Sequence, residues 1–178
     1  MALAKPVLLR NCQHLSEARY AAGMEVPYIG FTFSTTDTDE KRHTITAIWQ
    51  WLAGVELVAE LHEANPELVA TIRQEYAPSL WLVPSELIHL LQPEEKYVTI
   101  GAAPAGTTSC VGQLLSIAEA GNHLDSETPL WVELTDADQR AEADAIASVL
   151  VISGRPEERP GFPDLSFAAD VLEQLELE

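Results

Sequence analysis

The chain has 178 residues, 47% of them apolar and 21% charged, the composition of a soluble globular unit long enough for a sizeable core. Its 28 acidic side chains against 10 basic ones give a net charge of −18, a field that repels nucleic acid and anionic membrane surfaces and excludes both as expected partners. No run reaches the ~20 apolar residues of a membrane span, and no signal peptide is evident at the start, so a single cytoplasmic domain over 1–178 is expected.

In chain order, strand signals fall at Val7–Arg10, Tyr28–Phe33, 55–61, Leu80–Pro84, 97–102, Leu130–Leu134 and 148–153. Most are short apolar runs, as expected of strands covered on both faces. Between them lie segments of helical spacing. The first runs over 16–24, and the second over 44–54, from Thr44 to a stop at Gly54. The third is announced by Asn65-Pro66-Glu67, a capping side chain, a proline at the first position and then an acid. Short helical signal covers 85–91, a longer one 108–121 (interrupted by Gly112), and two more cover 136–147 and 164–177.

This alternation predicts an α/β fold with a parallel sheet and right-handed crossovers, either a barrel or an open doubly wound sheet. No G-x-G-x-x-G follows the first strand, so the dinucleotide-binding form of the open sheet has no support. Seven strand signals are one fewer than an eight-stranded barrel needs, and a βα unit is expected to be missing between about 101 and 129. A complete barrel of this kind typically has ~200–250 residues. A barrel left open would expose an edge, which a homodimer is expected to cover.

The two ends of the chain carry a family resemblance. Residues 7–18 read V-L-L-R-N-C-Q-H-L-S-E-A and residues 28–33 read Y-I-G-F-T-F; residues 148–164 read S-V-L-V-I-S-G-R-P-E-E-R-P-G-F-P-D. Together they resemble the first and last βα units of phosphoribosylanthranilate isomerase, a (β/α)8-barrel enzyme of tryptophan biosynthesis. The match is clear over the first third and the last quarter and fainter between. It implies a TIM-type barrel, shortened, and an Amadori rearrangement in which a general acid opens the ribose ring and a general base removes a proton from the adjacent carbon.

In that family the base is a cysteine ending strand 1, in K-[IV]-C-G-[IL]-[TK], and the acid is an aspartate ending strand 6. With Leu15 and Ala18 laid over the family's L-E-D-A, the cysteine position holds Arg10, whose guanidinium stays protonated and cannot act as a base. Cys12, two residues on, is the substitute candidate; otherwise it is a small buried hydrophobe. Glu133 replaces the aspartate if Leu130–Leu134 is the sixth strand and stands in a phosphate loop if it is the seventh; the following T-D-A-D-Q-R favours the seventh. Arg10 is read either as an anion ligand or as a structural cation paired to an acid.

The resemblance also implies ligand contacts. Arg42 in E-K-R-H-T-I falls where the family has an arginine for the anthranilate carboxylate. Ser153 and Gly154 match part of the family's S-S-G, whose amides face phosphate, and Arg155 adds a cation beside them. The expected protein is therefore a degenerate member of this type that binds a phosphorylated metabolite or a protein partner, with a divergent isomerase using Cys12 and Glu133 as the alternative. No cofactor is expected. The five histidines lack metal-site spacing, and Cys12 and Cys110 lack that of a disulfide framework or structural zinc.

Overall fold

The computed structural model describes residues 3–104, 108–154 and 164–176. Eight parallel strands form a closed barrel in sequence order: β1 Val7–Arg10, β2 Tyr28–Phe33, β3 Glu56–Leu61, β4 Leu80–Pro84, β5 Tyr97–Ile100, β6 Cys110–Ser116, β7 Leu130–Leu134 and β8 Val149–Ser153. Pairing of β1 with β8, from Val7 opposite Leu150 to Arg10 opposite Ser153, closes the ring. The TIM-type barrel is thus correct, and it is complete in strands.

The expected missing unit is not missing. Its strand is β6, in the segment read from sequence as a helix over 108–121. The run V-G-Q-L-L is a short apolar stretch that periodicity alone does not distinguish from a buried helix. A contact across the sheet decides the conformation: Gly112 on β6 lies against Trp131 on β7, so close that a Cβ at 112 would sit 2.3 Å from the indole nitrogen. Only α4, Ile117–Ala120, remains of the helix, held by Ser116 and Glu119 in a reciprocal cap.

The chain is short because its helices are reduced. In the first half α1 Leu15–Gly23, α2 Asp39–Trp51 and α3 Pro66–Tyr76 have 9, 13 and 11 residues. Asn65 caps α3 as expected, accepting from the Leu68 amide at 2.9 Å. The second helix begins earlier than the sequence reading placed it, because Thr38 rather than Thr44 is the cap and Asp39 and Glu40 fill the favourable first turn. After β4 there is only a 3-10 stretch, Ser85–Leu90. After β7 a 3-10 turn leads into α5, Arg140–Ile146, and α6 is Ser166–Glu176. Among the described residues no helix is long and apolar enough to cross a membrane.

Where helices are reduced, polar side chains hold the linkers. Gln113 on β6 is 2% exposed; its Oε1 accepts from the Ala103 amide and its Nε2 donates to Ser126 Oγ, both at 3.0 Å, so one side chain ties the β5–β6 and β6–β7 linkers to the wall. Ahead of β5, Glu95 receives two Arg73 N–H bonds at 2.8 Å and the Trp81 indole N–H at 3.2 Å, fixing the linker against α3 and β4.

Alternation along each strand separates two cores. Leu8, Val58, Leu80, Leu82, Val98, Leu114, Trp131, Val149 and Val151 pack together within the barrel. A larger cluster, including Leu9, Ile29, Phe31, Leu61, Val83, Val132 and Ile152, lies between strands and helices with Ile45, Ile48, Ile72 and Leu172. The interior is a packed plug, so ligand chemistry is left to the strand ends, where barrel enzymes of this architecture carry their sites.

Candidate functional site at the barrel mouth

Two residues beyond Leu8 and Val58 on the same strands stand Arg10 and Glu60, at the C-terminal strand ends. There Arg10 is clasped between two carboxylates. Its Nε lies 3.0 and 2.9 Å from the two oxygens of Glu60, Nη2 also reaches Glu60 Oε1, and Nη1 lies 3.0 and 3.1 Å from the oxygens of Glu133 on β7. Ser153 on β8 donates to Glu133 Oε1 at 2.8 Å. Thr32 Oγ1 on β2 is 3.3 Å from both Glu60 Oε2 and Asn11 Oδ1, and His62 Nε2 meets Glu60 Oε1 at 2.5 Å. Arg10, Asn11, Thr32, Glu60, His62 and Ser153 line a cavity of about 260 Å³.

The electrostatics follow from the geometry. Burial alone would raise the Glu60 carboxyl, but hydrogen bonds from His62 and Arg10 and their charges outweigh it and hold the group below its ordinary range. The side chains of Arg10 and Glu60 are 16% and 2% exposed, so this ion pair is largely withdrawn from water; Glu133 at 29% keeps partial solvation. Among the described residues of this cluster, two carboxylates against one guanidinium leave a negative excess. Of the two roles expected for Arg10, the structure realises the paired cation.

Arg10 is therefore not a base, and of the two expected replacements Glu133 is bound to it while Cys12 lies elsewhere. Cys12 is 3% exposed within the core between strands and helices. Burial, reinforced by the nearby Glu17 carboxylate, pushes its thiol well above the ordinary cysteine range, and Sγ–H points to the His14 carbonyl at 3.6 Å. It borders a separate hollow of about 400 Å³ with His14 and Lys41 rather than the mouth cavity. Glu133 is on the seventh strand, as the downstream sequence favoured, and both its oxygens are held by Arg10. The sixth strand ends in Ser116, with no carboxylate in the strand.

The phosphate contacts inferred from the family motif also have other employment. Ser153 gives its hydroxyl proton to Glu133, and the Gly154 amide donates to the Arg10 carbonyl at 2.8 Å. Gly154 is required for another reason: a Cβ there would lie 2.7 Å from Glu17 Oε1 and 2.9 Å from the Asn11 carbonyl oxygen. Arg155 lies outside the described residues. Arg42, on α2, faces a crevice toward α3 with Phe33, Leu68 and Tyr76, and is not part of the mouth lining. Among the described residues no three His, Cys, Asp or Glu side chains are grouped to hold a metal ion.

Glu60, Thr32, Asn11 and His62 were missed in the sequence. The available signal was the alternation in E-L-V-A-E-L: Val58 and Glu60 share the inward face, so an acid at the strand's C-terminal end had to meet whatever cation ended β1.

No family model matches this chain, and no curated protein matches it significantly. Solved structures do. It is similar to phosphoribosyl anthranilate isomerase from Thermus thermophilus at 16% identity, TM-score 0.78, covering 97% of this chain and 98% of that one. A phosphoribosyl anthranilate isomerase in complex with reduced 1-(o-carboxyphenylamino)-1-deoxyribulose 5-phosphate matches at 14% identity, TM-score 0.74, over 98% of this chain and 100% of that one. A truncated 3-deoxy-D-arabino-heptulosonate 7-phosphate synthase from Thermotoga maritima reaches a TM-score of 0.72 at 9% identity, over 97% and 86%. These likenesses establish the barrel fold; two different reactions at nearly the same structural similarity leave the chemistry to be argued from the site.

Proposed function

We propose that this chain is a barrel of the phosphoribosylanthranilate isomerase type that does not carry out that isomerisation and keeps its mouth as a small-molecule binding site. The observation that supports this reading is Arg10, which stands at the position of the family's basic cysteine and is bound on one side by Glu60 and on the other by Glu133. An Amadori rearrangement needs one group to take a proton and another to give one, on opposite sides of the sugar. A guanidinium does neither at neutral pH, and hydrogen bonds from His62 and Arg10 hold the Glu60 carboxyl in its charged, acceptor-only form.

The alternative, a divergent isomerase built on Cys12 and Glu133, has little support from the geometry. The thiol is buried away from the mouth cavity with its proton retained, and Glu133 is engaged by Arg10 and Ser153. What remains for the mouth is recognition: a polar cavity at the end of a packed barrel, walled by side chains whose positions are fixed by one another.

Calorimetric titration with reduced 1-(o-carboxyphenylamino)-1-deoxyribulose 5-phosphate tests the reading. No saturable heat is expected, because the ligand's carboxylate and phosphate would both approach a cluster with excess negative charge. Stoichiometric binding at micromolar concentration would refute the charge argument, and turnover of phosphoribosylanthranilate would refute the reading itself.

A further inference from the structure

The hydrogen-bond polarity of the mouth allows its ligand class to be named. The inference rests on the reading of the mouth as a binding site and extends it. Consider what each wall group has left to offer the cavity. Thr32 and Ser153 direct their protons at Asn11 or Glu60 and at Glu133, so toward a ligand they present oxygen lone pairs. The Asn11 amide accepts from Thr32 through Oδ1, leaving its two N–H groups as donors. Arg10 uses Nε, Nη1 and Nη2 on the glutamates, Nη1 reaching both oxygens of Glu133, so Nη2 keeps a second N–H. His62 meets Glu60 through Nε2, which leaves Nδ1 outside that contact.

Donors and acceptors therefore share the wall of a cavity of about 260 Å³, room for a molecule displacing some eight or nine waters at about 30 Å³ each. We infer that the mouth takes a small uncharged polyol, a free sugar or sugar alcohol, and excludes its phosphorylated counterpart. A hydroxyl gives one hydrogen bond and accepts others, so a polyol can satisfy both kinds of wall group at once. A phosphate dianion only accepts; it would leave the lone pairs of Thr32 and Ser153 facing lone pairs, beside two carboxylates. An alkylammonium only donates, and it would leave the Asn11 and Arg10 N–H groups unpaired next to a like charge. Unmet hydrogen bonds of this kind are the strongest source of discrimination between otherwise similar ligands.

Asn11 contributes through its backbone as well. Its φ of 53° is left-handed, a conformation asparagine tolerates better than most residues, and it lies between the Arg10 carbonyl that holds Gly154 and the Cys12 amide that donates to the Gly30 carbonyl at 2.8 Å. That fixes the amide at the cavity wall rather than on a free loop, the pre-organisation a recognition site needs.

Thermal unfolding and calorimetry of the intact chain, with D-ribose, xylitol, D-ribose 5-phosphate and putrescine as probes, decide the matter. Ribose or xylitol is expected to raise the unfolding midpoint saturably at millimolar concentration, while ribose 5-phosphate and putrescine leave it unchanged. Thr32→Val keeps the side-chain shape and removes the hydroxyl, and Ser153→Ala removes the other; each is expected to weaken polyol binding about tenfold. Equal or stronger binding of ribose 5-phosphate, no binding of either polyol, or undiminished affinity in both variants would overturn the inference. Turnover of phosphoribosylanthranilate on the same preparation separates the two claims: turnover defeats the proposed function, whereas a protein that neither turns it over nor binds either polyol defeats only this assignment.

Discussion

Replacing Arg10 with methionine removes the cation but keeps most of the side-chain volume, which isolates the charge. In the native protein Glu60 receives Arg10 at both oxygens, and the two side chains are 2% and 16% exposed. Without Arg10 the Glu60 carboxylate keeps only His62 and Thr32. Breaking a buried pair by deleting one partner costs about 3–5 kcal/mol because the survivor is left uncompensated. The Glu133 arm is 29% exposed and adds less than about 1 kcal/mol. Arg10→Met is thus expected to destabilise by about 3–6 kcal/mol at pH 7 in urea unfolding, and adding Glu60→Gln and Glu133→Gln should restore all but about 1 kcal/mol.

The pH dependence has a definite sign. The native Glu60 carboxyl is held below its ordinary value, so its contribution is present above the unfolded pKa of about 4.3 and is lost as pH falls through the depressed native value. In Arg10→Met burial dominates, the carboxyl moves up, and protonation relieves the variant as pH falls. The gap between the two proteins should narrow from pH 7 toward pH 4. A variant within about 1 kcal/mol of wild type at pH 7, or a triple variant no better than Arg10→Met, would refute the description of the mouth as an interlocked charge cluster.

Three further outcomes follow from the fold. Gln113→Leu deletes two hydrogen bonds that hold linkers in place of helices, and should cost about 2 kcal/mol with faster amide exchange at Ala103; an unchanged denaturation midpoint would remove Gln113 from that role. Gly112→Ala forces a methyl against the Trp131 indole and should cost about 1–3 kcal/mol with altered near-ultraviolet ellipticity, whereas a neutral result would contradict the close approach of β6 and β7. Native protein should expose one thiol, Cys110, to a disulfide reagent and two after denaturation. Rapid native reaction of Cys12 would contradict its burial and raised thiol pKa.

The sequence was readable wherever an element had local punctuation. Asn65-Pro66 located α3 directly, and the apolar runs of β1, β2, β4, β7 and β8 located most of the wall. It misled where a decision depended on a distant partner. Nothing local in V-G-Q-L-L marks a strand; the indole of Trp131, 19 residues on, needs the missing Cβ of Gly112. The candidate site followed the same division. Arg10 and Glu133 were singled out by laying the chain over the family's motifs, but Glu60 owes its importance to Arg10, 50 residues earlier, and only closure of the barrel brings them together. Cys12 was attractive for its chemistry, and its position past the strand end turns it into the helix-facing core.

The most direct test of the account is turnover of phosphoribosylanthranilate, followed by loss of its fluorescence at high protein concentration, with Glu133→Gln and Cys12→Ala alongside. The account predicts that wild type and both variants leave the uncatalysed rate unchanged. Turnover by wild type that either variant abolishes would contradict it and would mean that the Arg10 cluster opens to admit a relocated acid and base.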